Sequence, residues 1–171
     1  DFSFSGCSSL TQISIPSSVT SIGSSAFYRC SSLKQVLFEI PSSLKSIESN
    51  AFYECKSLIQ IKMPSSMKYI ENAAFKKCAS LVQITIPSSV INIKYDAFED
   101  CSSLEQILFE NPSSLGSIES NTFNKCSSLK QITIPSSVTS IESNAFRDCS
   151  SLTQITIPSC VKSIGYCAFY N

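Results

Sequence analysis

The chain has 171 residues, 43% of them hydrophobic, which is enough for a folded core and too apolar for a disordered chain. Thirteen basic and thirteen acidic residues cancel to a formal net charge of zero, so no long-range field gathers nucleic acid or an anionic membrane surface. No apolar run reaches the roughly 20 residues of a membrane helix and no signal peptide opens the chain; it begins at Asp1 without methionine and stops at Asn171 in mid-pattern, as expected of a fragment of a longer chain.

The sequence repeats. A first unit opens at Cys7, and Cys30, Cys55, Cys78, Cys101, Cys126 and Cys149 follow at intervals of 23, 25, 23, 23, 25 and 23 residues, a regularity that belongs to solenoids. Phe4, Phe27, Phe52, Phe75, Phe98, Phe123, Phe146 and Phe169 keep the same spacing, as do the prolines from Pro16 to Pro158. Cys7, Cys78 and Cys149 are 71 residues apart, and LFEIPSSL of the second unit returns as LFENPSSL in the fifth, which points to a duplicated block of three units.

Each unit predicts the same elements in the same order, clearest in CSSLKQITIPSSVTSIESNAFRD from Cys126 to Asp148. Leu129, Ile132 and Ile134 are spaced as the buried positions of a short strand, and Pro135, with no N–H to donate, marks the end of the ladder. Val138 and Ile141 turn inward on a return path. The segment SNAF, closed by Phe146, packs the rear of the coil, where a tight helical turn is expected with Asn144 favouring the corner. Strands stacked about 4.8 Å apart would form a parallel sheet on the order of 30 Å long. Each coil buries its apolar residues only against its neighbours.

The second and fifth units carry two extra residues before the proline, Glu39 and Ile40, then Glu110 and Asn111. An insertion upstream would place Asn111 in the buried isoleucine slot, a costly position for an amide. The insertion therefore follows the strand as a bulge, with Glu39 and Glu110 on one edge of the solenoid.

The pattern AFxxCxSLxxIxIPxSVxxI, seen as AFYRCSSLKQVLF and AFRDCSSLTQITIPSCVKSI, resembles the BspA-like leucine-rich repeats of bacterial and protozoan surface antigens, and does so over the whole chain. The resemblance implies an α/β-type repeat solenoid: a right-handed leucine-rich-repeat coil with one parallel β-sheet face, short return strands and short helical turns on the other face. Residues 1–171 would form a single solenoid of about seven repeats. The resemblance further implies adhesion and host interaction, at the cell surface or after secretion. The matched positions build the coil and do not name a ligand. Unlike larger members, this chain has no polar end unit after Phe169, Tyr170 and Asn171.

Gln12, Gln35, Gln60, Gln83, Gln106, Gln131 and Gln154 each stand one residue before a buried Ile or Val and so face outward from the sheet. Stacked amides can hydrogen-bond along such a ladder, and a neutral binding strip is the functional alternative. The next outward row is Ser14, Leu37, Lys62, Thr85, Leu108, Thr133 and Thr156. It varies where the glutamine row is constant, so specificity is expected there, with Leu37 and Leu108 as apolar contact points. The candidate protein-binding residues are Gln35, Leu37, Gln60, Lys62, Gln83, Thr85, Gln106, Leu108, Gln131 and Thr133.

Cysteines of adjacent coils should sit about 5 Å apart, within reach of a disulfide. Their odd number and parallel side chains instead predict buried free thiols acting as small hydrophobes. With no histidine and no CxxC pair, no metal site is expected. Cys160 and Cys167 lie outside the ladder, in places held elsewhere by serine or by Ser25 and Asn144. They are open to cross-linking, to pairing with each other, or to no role beyond drift at tolerant positions.

Without histidine the chain lacks the usual base for a serine or cysteine nucleophile, and its four glycines form neither GxxxxGK nor GxGxxG. Glu48, Glu71, Glu119 and Glu142 recur at one position per coil as solvated charges, and no Asn-x-Ser/Thr acceptor occurs, since Pro112 follows Asn111. No catalysis, cofactor, nucleic acid or direct membrane insertion is expected. The preferred expectation is a binding and adhesion module whose sheet face and adjoining edge meet a protein ligand. Two others stay open: a structural protein forming homo-oligomers through its coil ends, and a cytoplasmic interaction scaffold, which reduced thiols would suit.

Overall fold

In the computed structural model, which describes residues 1–171, the chain winds into a parallel β-solenoid of about seven turns. Its strands in chain order are β1 (Gln12–Ile15), β2 (Ser21–Ile22), β3 (Gln35–Phe38), β4 (Ser46–Ile47), β5 (Gln60–Ile61), β6 (Tyr69–Ile70) and β7 (Gln83–Ile86). They continue as β8 (Asn92–Ile93), β9 (Gln106–Phe109), β10 (Ser117–Ile118), β11 (Gln131–Thr133), β12 (Ser140–Ile141), β13 (Gln154–Thr156) and β14 (Ser163–Ile164). The odd-numbered strands form one seven-stranded sheet in chain order, and the even-numbered return strands form two narrow sheets, β2-β4-β6-β8 and β10-β12-β14. Coils therefore pair only with the coil before and the coil after, as the repeat requires.

Alternation along each face strand divides inside from outside. In β7, Ile84 and Ile86 are buried, Gln83 is exposed and Thr85 half-buried. Leucines such as Leu81 and Leu104 enter the core just before the strand, Val90 and Ile93 on the return path, and Ala97 and Phe98 at the rear. The result is one continuous core of 43 buried residues running the length of the coil. Eight phenylalanine rings from Phe4 to Phe169 stack along it, with centroids 5.1 to 5.5 Å apart and planes within 16°. Each such pair contributes roughly 0.5–1.5 kcal/mol beyond its buried area.

The rear of the coil corrects the expectation of helical turns, because the chain has no helix. Between Gly23 and Cys30, the N–H groups of Ala26, Tyr28 and Cys30 donate to carbonyls three residues back, while those of Ser25, Phe27 and Arg29 donate to Ser49, Ala51 and Tyr53 of the next coil. An α-helix would keep its N–H bonds within the segment and leave the stacked coils unjoined there. Tandem β-turns use alternate N–H groups for each purpose. Each such coil then places two residues in the left-handed region: one in the set Ser25, Asn50, Ala73, Asp96, Asn121, Asn144 and Cys167, one in the set Arg29, Glu54, Lys77, Asp100, Lys125 and Asp148, with φ from 52° to 62°. These are third residues of turns that need positive φ. Asn144 does occupy the expected corner, where a short amide tolerates that conformation.

The two longer coils behave as their sequences predict. Phe38 pairs with Ile15 and Phe109 with Ile86, so the extra residues follow the strand. The peptide bonds Ile40–Pro41 and Asn111–Pro112 are cis. The loops fold back onto the preceding coil, where the Ser17 N–H donates to the Glu39 carboxylate and the Ser88 N–H to that of Glu110, each at 3.1 Å. Four residue pairs join β1 to β3 and β7 to β9, whereas two join β3 to β5, two join β5 to β7 and one joins β9 to β11. The sheet pairs least toward its proline end on both sides of β5 and between β9 and β11.

Candidate binding face

The strand register makes Gln12, Gln35, Gln60, Gln83, Gln106, Gln131 and Gln154 direct neighbours across the whole sheet. Gln35 and Gln106 are half-buried and the others exposed. The hydrogen-bonded amide ladder weighed from sequence does not form. Side-chain hydrogen bonds come from serine, threonine, cysteine, lysine and asparagine instead, which leaves the glutamines as a strip of unengaged donors and acceptors.

Ser14, Leu37, Lys62, Thr85, Leu108, Thr133 and Thr156 project beside that strip, all exposed except the half-buried Thr85. Leu37 and Leu108 show 38% and 39% of their surface. The ten residues selected from sequence therefore share one face. Two shallow depressions cross it: one of about 320 Å³ between β5 and β7, bordered by Gln60, Lys62, Gln83, Thr85 and Glu110, and one of about 370 Å³ between β9 and β11, bordered by Gln106, Leu108, Asn111, Gln131 and Thr133. The second lies where strand pairing falls to a single residue pair.

The rear differs in carrying a row of charges, some of which pair between coils. Arg29, Glu54, Lys77, Asp100, Lys125 and Asp148 alternate in sign from coil to coil at one left-handed position. Arg29 and Lys77 reach Glu54 at 3.2 and 3.4 Å, and Lys76 bridges Asp96 and Glu99 at 3.0 and 2.6 Å. Partial burial opposes the Lys76 ammonium, but the hydrogen bonds it donates to Glu99 and Asp96, with their negative charge, outweigh it and raise its pKa. Tyr28 and Tyr53 stack at 5.0 Å, with Arg29 over the first ring and Lys77 over the second. Surface ion pairs contribute little stability each, about 0–1 kcal/mol. They link the second to fifth coils at the rear, while Asp100 and Lys125 of the same row form no ion pair. The sign alternation is visible in the residue before each cysteine from Cys30 onward, and was not singled out from sequence.

Six ladder cysteines, Cys30, Cys55, Cys78, Cys101, Cys126 and Cys149, are fully buried. Each S–H donates to the phenylalanine carbonyl of the preceding coil, Sγ to oxygen 3.0 to 3.3 Å. Where both coils are complete, as at Phe27, that carbonyl also accepts its own coil's cysteine N–H, so both lone pairs are used. This favours cysteine over an aliphatic residue at the position. Burial raises the pKa of all six thiols, that of Cys149 to about 12. Cys7 departs from the expected burial and is exposed, since no coil covers it among these residues. Cys160 and Cys167 are half-buried, and all nine cysteines are free.

A parallel coil with one strand per turn on its broad face, an inward leucine before each strand and outward variation beside it defines a leucine-rich-repeat solenoid. Residues 1–113 and 108–171 match the family described as BspA type leucine rich repeat region, in six copies, and the chain belongs to that family. No catalytic family is indicated. A leucine-rich repeat protein from Bacteroides ovatus is similar at 35% identity and TM-score 0.87, over 96% of this chain and 42% of that one. A Treponema relative, the T. pallidum leucine rich repeat protein, is similar at 31% identity and TM-score 0.66, over 96% and 64%. A leucine-rich repeat protein from Eubacterium ventriosum is similar at 26% identity and TM-score 0.78, over 94% and 42%. The chain spans less than two thirds of the length of these relatives. No curated protein matches the sequence significantly. No helix is long and apolar enough to cross a membrane.

Proposed function

We propose that this chain is a non-enzymatic protein-binding module of a cell-surface or secreted protein, and that its partner sits on the seven-stranded face. The supporting observation is the make-up of the sheet face. At the rear, ion pairs and one tyrosine stack engage Arg29, Glu54, Lys76 and Lys77 in the second to fifth coils. On the sheet, Lys62 has no ion pair, the glutamines are unengaged, and Leu37 and Leu108 stand exposed. A surface that is apolar in places and unsatisfied in others gains by covering. The surface location and an adhesive role rest on the resemblance to BspA-like antigens.

Linear peptides displayed on phage and selected against the immobilised chain test this reading. Clones should lose at least about 10-fold in binding to Thr85→Arg, which sets a bulky charge in the middle of the face, and retain it on the rear control Lys125→Glu. Clones that bind Thr85→Arg normally and lose binding to the rear variant would remove the proposal.

A further inference from the structure

We infer that the sheet face takes an extended peptide running along the solenoid axis, across the strands, with apolar side chains at positions i and i+4 and a carboxylate at i+2. The inference rests on the proposed use of this face. The duplicated block sets Leu37 and Leu108 three coils apart on one outward row. Strand spacing puts them roughly 14–15 Å apart, in keeping with the 5.1 to 5.2 Å steps of the phenylalanine stack from Phe27 to Phe98. An extended chain advances about 3.4 Å per residue, so i and i+4 on the same side lie about 13.5 Å apart, while i+2 falls short at about 7 Å and i+6 overshoots at about 20 Å.

Midway between the leucines the row holds Lys62 and Thr85. Lys62 is exposed and unpaired. Glu110, which borders the same depression, is held by the Ser88 amide at 3.1 Å. A carboxylate at i+2 arrives where the Lys62 ammonium lacks a partner. The free amides of Gln60 and Gln83 flank that point and can bond the peptide backbone on either side of it. An amphipathic helix on the same line fits less well, because its apolar stripe of i, i+3, i+4 and i+7 would cover Lys62 and Thr85 without answering either.

The test uses the 171-residue chain and a fluorescein-labelled peptide, Ser-Leu-Thr-Asp-Thr-Leu-Ser, read by anisotropy. Moving the second leucine one place toward the aspartate keeps the composition and breaks the register, and should weaken binding at least about 10-fold. Lys62→Glu should weaken the aspartate peptide by a similar factor and favour the same peptide with lysine at its centre. Leu37→Ala and Leu108→Ala should each weaken it roughly 5- to 30-fold. Equal binding of the two registers, indifference to Lys62→Glu, or no measurable binding overturns the inference. If that happens while phage-selected clones still depend on Thr85, the binding face stands and only the register falls; clones indifferent to Thr85→Arg remove the face itself.

Discussion

Raising the pH from 8 to 10 should strongly destabilise the chain. Burial raises the pKa of Cys55, Cys78, Cys101, Cys126 and Cys149 well above the ordinary value of 9.0, that of Cys149 to about 12. Above pH 9 the unfolded chain releases these protons and the native chain keeps them. The native state then binds more protons, so stability falls as pH rises; the contribution is intact below 9 and is lost progressively toward the folded values. One unit above the unfolded pKa, each thiol costs about 1.4 kcal/mol, and the five together cost roughly 7 kcal/mol, comparable to the whole stability of a small domain. Urea unfolding at pH 7, 8, 9 and 10 measures this directly. Cys101→Ala should be less stable at pH 7 and show a pH slope shallower by about one proton. A pH-independent midpoint would contradict the burial of the thiols, as would iodoacetamide modification of Cys78 in the folded chain at pH 7, where only Cys7, Cys160 and Cys167 should react.

Position along the stack should decide the cost of removing a ring. Phe75 is 0% exposed and stacks at 5.2 Å on both Phe52 and Phe98, so Phe75→Ala should cost roughly 3–5 kcal/mol. The loss falls on two coil interfaces at once, and contacts between neighbouring coils supply much of a solenoid's stability. Phe4 is 40% exposed and stacks only on Phe27, so Phe4→Ala should cost less than about 1 kcal/mol. Chemical denaturation followed by circular dichroism compares the two. Equal costs would mean that the stack does not carry the coil contacts.

The intervals between cysteines were sufficient to predict the coil, because repeats of one length can bury a shared core only by stacking. Asn111 settled where the long coils carry their insertion, since an amide in the isoleucine slot is too costly, and Phe38 and Phe109 do fill the strand positions. The rear was misread for a physical reason. SNAF looks helical in isolation, but its N–H groups are needed by the neighbouring coil, a demand that local sequence does not display. The clue lay in non-glycine residues obliged to adopt positive φ, from Asn50 and Asn144 to Arg29 and Lys125. The alternating charges beside them were equally legible and become meaningful only once coil stacking sets them side by side. On the sheet, the two rows follow from strand alternation, with Gln35, Thr85 and Gln106 half-buried, whereas the reduced pairing around β5 and between β9 and β11 has no local sequence signal.

Leu104 and Leu108 offer the most direct test, because they lie four residues apart in one coil and point into the core and out of the sheet, respectively. Leu104 is 0% exposed and Leu108 39%. The measurement is urea unfolding together with binding of face-dependent phage-selected peptides, for Leu104→Ala and Leu108→Ala. Leu104→Ala should cost roughly 2–5 kcal/mol of stability and, while folded, keep its binding. Leu108→Ala should move stability by less than about 0.5 kcal/mol and weaken binding roughly 5- to 30-fold. A Leu108→Ala chain that binds as tightly as the parent, or that is destabilised as much as Leu104→Ala, would contradict the assignment of binding to this face.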